Sequence, residues 1–583
     1  MSRREATTKA KNRFYFRKQF YAKQVRAMRI FRYRDTRITF SFIIICFLGL
    51  AHLLFQNTLL FENQERRVEP LFKKLTQRAQ VTFLVNLPRK DFKDKSELIH
   101  NYSTRISDVE QSISNLFQVF NSTSVINSKT NGASHSNSCE LLSKRLQPLH
   151  VGGDRCMRIK QSVSQGLLEY VLREADNELC SLVRPLFTHR KLVIWTNDHH
   201  STPVLDLRSL LEPLGVEFID HTLYPECRFF CHCDGKQSLQ VFNEKNVLEM
   251  SPSLIELFHK AYPTNNSEMA RVDAFAMFHC SSQYELFRFY NKSIISIATL
   301  RYETCRKPQR WNELNGNLST LYGRSEHVIG TNNQYDREYI RYFTGLKVDL
   351  IPSFCAYTAG FYSPNHSSYL LYPQRDGFVG KFAKFWDSEF KMHYKKQNAT
   401  FELMFKQTKY TTNWIRVSTH ETWQLGSHLG IVHVPYQVST MSIFEHYRMG
   451  IPLFFAAHET FVKWNIKYRL VYDRTSAMRK GFSTGSHIPP HESQKGVPDP
   501  NDERDPSSQR HWFRLADFYT LPHITYFQSI KHLVNILNGM SRERLLSINV
   551  KMRAFNNMQL KRLLHYWRVR LLDIAASTSN KPH

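Results

Sequence analysis

The chain has 583 residues, 42% of them hydrophobic and 13% aromatic, with a formal net charge of +28. That apolar content is too high for a wholly disordered chain, and the length leaves room for more than one domain. The charge suggests a nucleic-acid binder until it is located: residues 1–37 hold thirteen Lys/Arg against Glu5 and Asp35, so +11 sits there and +17 is spread over the 522 residues after position 61. The larger part is only mildly basic, which suits nucleotide diphosphates or acidic glycans and excludes nucleic acid as the expected partner.

The basic tail, 1–37, is followed by 24 residues without a charge, Ile38 to Phe61. A helix rising about 1.5 Å per residue needs roughly 20 residues to cross a bilayer, so this stretch is expected to span. It begins too late and runs too long for a cleavable signal peptide. Because Lys/Arg-rich flanks stay cytosolic, residues 1–37 are expected in the cytosol and 62–583 in the lumen, a type II signal-anchor topology. A span this short fits a thin membrane, so the Golgi or the endoplasmic reticulum is the expected location.

The lumenal side carries seven Asn-x-Ser/Thr sites, at Asn101, Asn121, Asn265, Asn291, Asn317, Asn365 and Asn398, and nine of the ten cysteines. In an oxidising lumen these cysteines are expected to form disulfides. Cys227, Cys231, His232 and Cys233 have metal-ligand types but match no common zinc spacing, so disulfides are favoured there too and no metal is expected.

Residues 62–190 read as a stem and N-terminal region, polar and interrupted, with a Ser/Asn-rich piece at 121–138. Ile106, Val109, Ile113, Leu116 and Phe120 recur at three- and four-residue steps. Two readings stay open for this run: a short coiled coil pairing two stems into a homodimer, or an ordinary amphipathic helix.

From Lys191 the texture changes to strand–helix alternation. Leu192–Trp195 reads as a strand, Pro203–Leu214 as a helix closed by Gly215, and Val216–Ile219 as the next strand. Val272–Met277, Ile294–Ala298 and His327–Gly330 add strands, with helices at Ser281–Tyr290 and Asp336–Thr344. After a Ser/Tyr/Pro-rich passage, a second series is expected from Gly377–Gly380, Ile431–Val434 and Ile451–Phe455 as strands and Met441–Met449 as a helix. Such alternation predicts an α/β fold of two tandem Rossmann-like domains, 191–356 and 357–526, behind the transmembrane helix and stem. Within the second, 475–511 reads as a mobile loop, and 527–583 as carboxy-terminal helices.

One patch, His433-Val-Pro-Tyr-Gln437-Val-Ser439 through Glu445 to Gly450-Ile-Pro452, sets a glutamate five residues before a glycine that feeds a Pro-containing apolar strand. It resembles the donor site of nucleotide-sugar glycosyltransferases of the GT-B fold. The resemblance implies that Glu445 accepts hydrogen bonds from the donor ribose, with Gln437 facing the transferred sugar and Ser439 among the donor-binding residues. Gln437 stands where such families often carry a glutamate, and an amide cannot act as a base. Gly380-Lys381 and Lys384 resemble the cationic pair facing the donor diphosphate, which implies a metal-independent reaction with no cofactor; the chain has no Asp-x-Asp.

Ligands of open parallel sheets sit beyond the carboxyl ends of the strands. There Asp198 and His199 are the candidate bases, although Asp198 also suits a helix cap. Arg301, Glu303, Asn332 and Asn333 are the candidate acceptor contacts. The expected activity is transfer of a hexosyl or N-acetylhexosaminyl group from a nucleotide sugar to a glycan, protein or lipid acceptor. The alternative is an inactive relative that serves as a lumenal lectin or chaperone.

Overall fold

The computed structural model describes residues 138–146, 155–221, 250–358, 360–372, 381–405, 425–471 and 485–579, apart from 199, 280, 305 and 400, with isolated positions between 221 and 250. All belong to one compact unit, Ser134–His583. The expected membrane span, the two-heptad run, the Cys227–Cys233 cluster, Asn101, Asn121 and the strand expected at 377–380 lie outside the described residues. Among the described residues no helix is long and apolar enough to cross a membrane.

Two parallel sheets organise the unit. The first contains β1 (Leu192–Thr196), β2 (Val216–Asp220), β3 (Ala274–Met277), β4 (Ser293–Ala298), β5 (Val328–Thr331) and β6 (Asp349–Leu350), in the order β2-β1-β3-β4-β5-β6. The second contains β7 (Ser368–Tyr372), β8 (Glu402–Phe405), β9 (Ile431–His433), β10 (Leu453–Ala456) and β11 (Thr525–Phe527), in the order β11-β10-β9-β7-β8. Read from the opposite edge, the second repeats the order 2-1-3-4-5 of the first. The strand order therefore reverses between β1 and β3, and again between β7 and β9, and such reversal points are where open α/β sheets hold ligands.

β1, β3 and β4 are buried along their whole length, as strands covered on both faces must be. Alternate side chains go to opposite layers: Trp195, Phe275 and Met277 enter one core, and Ile194, Ala274, Ala276 and Ile295 another. The second of these cores is completed from both ends of the unit. Leu167 and Val171 come from the helix Arg155–Glu174, and Leu564, Trp567 and Leu571 from the helix Arg542–Ser579.

The segment from 155 to 183 therefore differs from the expected stem, because its apolar face supplies part of the sheet's cover. A disulfide, Cys139–Cys180, ties the short helix Ser138–Ser143 to Asn177–Leu182. Gly166 allows the helix to approach the chain between the sheets: a Cβ there would lie 2.3 Å from the Ala356 carbonyl oxygen.

Arg542–Ser579 is a strut of 38 residues, about 57 Å at the usual helical rise. Near its start Asn549 donates to the Gly450 carbonyl at 2.8 Å, and Asn556 donates to Tyr447 and Arg448. Further along, Tyr566 donates to Asp349 at 2.7 Å and Ser577 meets Ser293 at 3.2 Å. One helix thus bonds to both sheets' domains.

The described part of 475–511 also departs from the loop expected there. His491 N–H donates to the Tyr342 carbonyl at 2.8 Å, Asn501 Nδ2 donates to the Tyr339 hydroxyl at 2.9 Å, and Ser486 and Asn501 both bond Asp499. Turn-forming composition carries no information about these long-range partners, nor about the helix Pro506–Phe513 that begins within the segment.

Candidate functional site

The turn after β1 shows what the buried carboxylates here can do. Asp198 Oδ1 accepts from His200 N–H at 2.8 Å, and Oδ2 accepts from Phe278 N–H at 2.7 Å and His279 N–H at 2.9 Å. It holds its own turn and staples the end of β1 to the end of β3 across the reversal point. Burial pushes its pKa up to about 6, against the pull of those three amides. Asp198 has both oxygens committed and no exposed surface, and it fixes the turn. His199 lies outside the described residues, while the neighbouring His200 ring packs edge-on to His279 at 4.1 Å.

At the ends of β4 and β5 the four expected acceptor residues come together. Arg301 gives Nε and Nη2 to Asp336, at 2.5 and 3.0 Å. Asn333 caps the helix Gln334–Thr344 through Asp336 N–H at 2.8 Å and donates to Asp336 Oδ2 at 2.6 Å. Asn332 donates to the Ser353 hydroxyl at 3.2 Å and lies 3.9 Å from Met441 Sδ of the helix Met441–Arg448. Glu303 Oε1 accepts from Tyr339 at 2.9 Å, and Oε2 has no hydrogen-bond partner. Burial raises the Glu303 pKa to about 7, with the Tyr339 hydrogen bond and Arg301 pulling it back.

Several members of this group had no mark in the sequence. Asp336 sits at a common cap-plus-three spacing after Asn333, a signal that points to helix initiation and not to a partner for Arg301. Tyr335 and Tyr339 stack beside the guanidinium, whose carbon lies 4.7 and 5.9 Å from their ring centres. Asp517, which opens the helix Asp517–Thr520, comes from the second domain and lies within electrostatic range of both Arg301 and Asp336. Nothing local in Leu-Ala-Asp-Phe announces that role.

The expected donor residues divide into three groups. Gln437 and Ser439 follow β9 at the second reversal point, both buried, and Gln437 Oε1 has no hydrogen-bond partner. Asp517 N–H donates to the Val438 carbonyl between them at 3.1 Å. Glu445 lies apart from this loop: the Tyr357 hydroxyl donates to Oε1 at 2.5 Å, and burial raises the Glu445 pKa to about 7, eased by Tyr357 and Arg448. Tyr357 belongs to the segment between the sheets, so Glu445 helps join them. Lys381 and Lys384 stand exposed on the first turn of the helix Lys381–Lys396, which follows β7 and the undescribed residues 373–380.

Gly450 ends the helix with φ +74°, and a Cβ there would meet Asn549 at 2.2 Å, so the glycine in the patch satisfies both a left-handed turn and the strut. Inside the same patch, His433 is buried against His446, Nε2 to Nδ1 at 3.1 Å, and burial lowers its pKa to about 3. It is a neutral imidazole at ordinary pH. Of the glycosylation asparagines, Asn265, Asn291, Asn365 and Asn398 are exposed, whereas Asn317 donates to Glu285 at 2.5 Å. Among the described residues no group of three or more His, Cys, Asp or Glu could hold a metal ion.

No family model matches the chain, and no curated protein matches it. A solved structure, that of the glycotransferase of kitacinnamycin, aligns with 67% of this chain and 98% of its own at 11% identity and a TM-score of 0.30. That structural neighbour is a glycosyltransferase; a likeness at this level carries no argument about activity here.

Proposed function

We propose that the chain is a glycosyltransferase of the GT-B type, moving a hexosyl or N-acetylhexosaminyl group from a nucleotide sugar to a glycan, protein or lipid hydroxyl without a metal. The observation that supports this most is that Asp517 of the second domain, beside Ser439, lies within electrostatic range of Arg301 and Asp336 at the strand ends of the first. Reversal points of parallel sheets are where such folds bind ligands, although a fold by itself does not establish catalysis.

In this reading the donor lies on the second sheet. Lys381 and Lys384 neutralise the leaving diphosphate at the start of their helix, where backbone N–H groups add to the positive field. Glu445 has Oε1 on Tyr357 and uses Oε2 for the ribose. The acceptor lies on the first sheet, and His199 takes its proton. Residues 38–61 anchor the protein in a Golgi or endoplasmic reticulum membrane with this cleft in the lumen.

The test is a panel of UDP- and GDP-sugars offered to the full-length chain, read by donor hydrolysis and by protection against melting. Hydrolysis that His199→Ala abolishes while donor protection persists supports the reading. Protection by a nucleotide sugar with no turnover on any acceptor supports instead the lectin or chaperone alternative, which Gln437 favours because its amide cannot act as a base. An unchanged melting response in Glu445→Gln removes Glu445 from the donor site.

A further inference from the structure

At the seam between the sheets, three groups from distant parts of the chain are buried together with hydrogen-bonding capacity left over. Arg301 spends Nε and Nη2 on Asp336, and Nη1, on the far side of the guanidinium, has no partner. Asp517 is buried, and its Oδ2 makes no hydrogen bond. The Ser439 hydroxyl lies beside the Asp517 carboxyl and eases its pKa, without meeting the geometry of a hydrogen bond. Buried polar atoms are almost always paired, so such a concentration needs an explanation.

We propose that Arg301 Nη1, Asp517 Oδ2 and the Ser439 hydroxyl form a subsite for the hydroxyl groups of a sugar ring, with Arg301 supplied by the first domain and Asp517 and Ser439 by the second. The inference rests on the glycosyltransferase reading and adds Asp517 to it. Complementarity selects the ligand. The subsite offers one NH2 group with two N–H donors, one carboxyl acceptor and one hydroxyl able to do either, and a pair of neighbouring sugar hydroxyls, each both donor and acceptor, can satisfy them. A phosphate oxygen accepts only, and would be placed among Asp517, Asp336 and Glu303 with a single guanidinium already shared with Asp336. Like charges at such distances oppose its binding. The carboxyl of Asp517, raised well above its usual range by burial, would then ionise most readily when a hydroxyl donates to it.

Because the three groups come from β4, from the loop after β9 and from the start of Asp517–Thr520, the ligand would also bridge the two domains. Sugar rings occur both in the donor and in a glycan acceptor, and the test separates them. Full-length wild type, Asp517→Asn and Ser439→Ala are titrated calorimetrically with UDP and GDP, with their glucose, galactose, N-acetylglucosamine, mannose and fucose conjugates, and with free disaccharides. Asp517→Asn is isosteric and replaces a buried carboxyl by an uncharged amide, so a melting temperature close to wild type is expected.

The expected result is an unchanged Kd for the nucleoside diphosphate and at least a tenfold weaker Kd for the sugar-bearing ligand in Asp517→Asn, with a smaller loss in the same arm for Ser439→Ala. A loss confined to the conjugates assigns the subsite to the donor; one confined to free disaccharides assigns it to the acceptor. Equal weakening for diphosphate and conjugate, or no change in either sugar arm, overturns the subsite while leaving the glycosyltransferase reading in place. If wild type binds nothing in the panel, that reading falls and the subsite falls with it. Should Asp517→Asn not fold, the Ser439→Ala arm decides by the same comparison.

Discussion

Asp198 and Glu303 occupy equivalent places, each in the turn after a strand of the first sheet, each wholly buried, each with its pKa raised by that burial. They differ in what fills their oxygens. Asp198 receives three backbone amides and closes its turn on β3, whereas Glu303 receives one tyrosine hydroxyl and keeps an oxygen without a partner. The lesson is that a carboxylate at a strand end is informative only after its acceptor capacity has been counted. A spent one is architecture, and an unspent one is a candidate for chemistry.

The comparison can be broken most forcefully at Asp198. Replacing it with Ala strands one buried and two part-buried N–H groups, and a buried one costs about 1–3 kcal/mol when left unmade, so the variant is expected to lose about 3–5 kcal/mol in urea unfolding. A loss under about 1 kcal/mol would show that the turn does not depend on it. Next comes Arg301→Met, which leaves the buried Asp336 carboxylate without its guanidinium. About 3–5 kcal/mol is typical when one partner of a buried pair is removed, and the double variant with Asp336→Leu should recover most of it.

Glu303→Gln is expected to change stability little at neutral pH, by about 1 kcal/mol or less, because the amide still accepts from Tyr339. The sharper effect lies in its pH dependence. A carboxyl whose folded pKa is raised to about 7 binds protons more tightly folded than unfolded, so its contribution is present at low pH and is lost as pH rises from the unfolded value, about 4.3, through 7. Wild type should therefore lose melting temperature across that window, and Glu303→Gln should flatten the profile. Glu445, also near 7, and Asp198, near 6, contribute with the same sign, so the flattening is partial; an unaltered slope in Glu303→Gln would mean that Glu303 is ionised in the fold.

The same contrast marks how far the sequence could be read. β1, β2, β4, β5, β9 and β10 fall within two residues of where apolar runs place them, because strands buried on both faces write themselves as continuous hydrophobic stretches. β7 was hidden in a Ser/Tyr/Pro-rich passage, and β6, only two residues long, carries too little pattern to see. Candidate positions are legible where they follow a strand end, as for Arg301, Glu303, Asn332 and Asn333. Asp517 and Tyr357 are not, since their partners lie about two hundred residues away for Asp517 and 88 residues away for Tyr357, and no periodicity encodes such pairings. The helix Arg155–Glu174 was taken for stem because its polar residues dilute an apolar face that only the sheet completes.

The strut Arg542–Ser579 follows every strand in chain order and yet covers the first sheet with Trp567 and Leu571. During synthesis, then, one face of the first sheet keeps part of its cover missing while the whole second sheet is made. The last ties between the two halves are added when the final long helix emerges. Folding of this chain is thus a deferred closure, vulnerable throughout translation to anything that prefers exposed hydrophobic surface, and a lesion late in the chain is expected to be felt by strands made more than three hundred residues earlier.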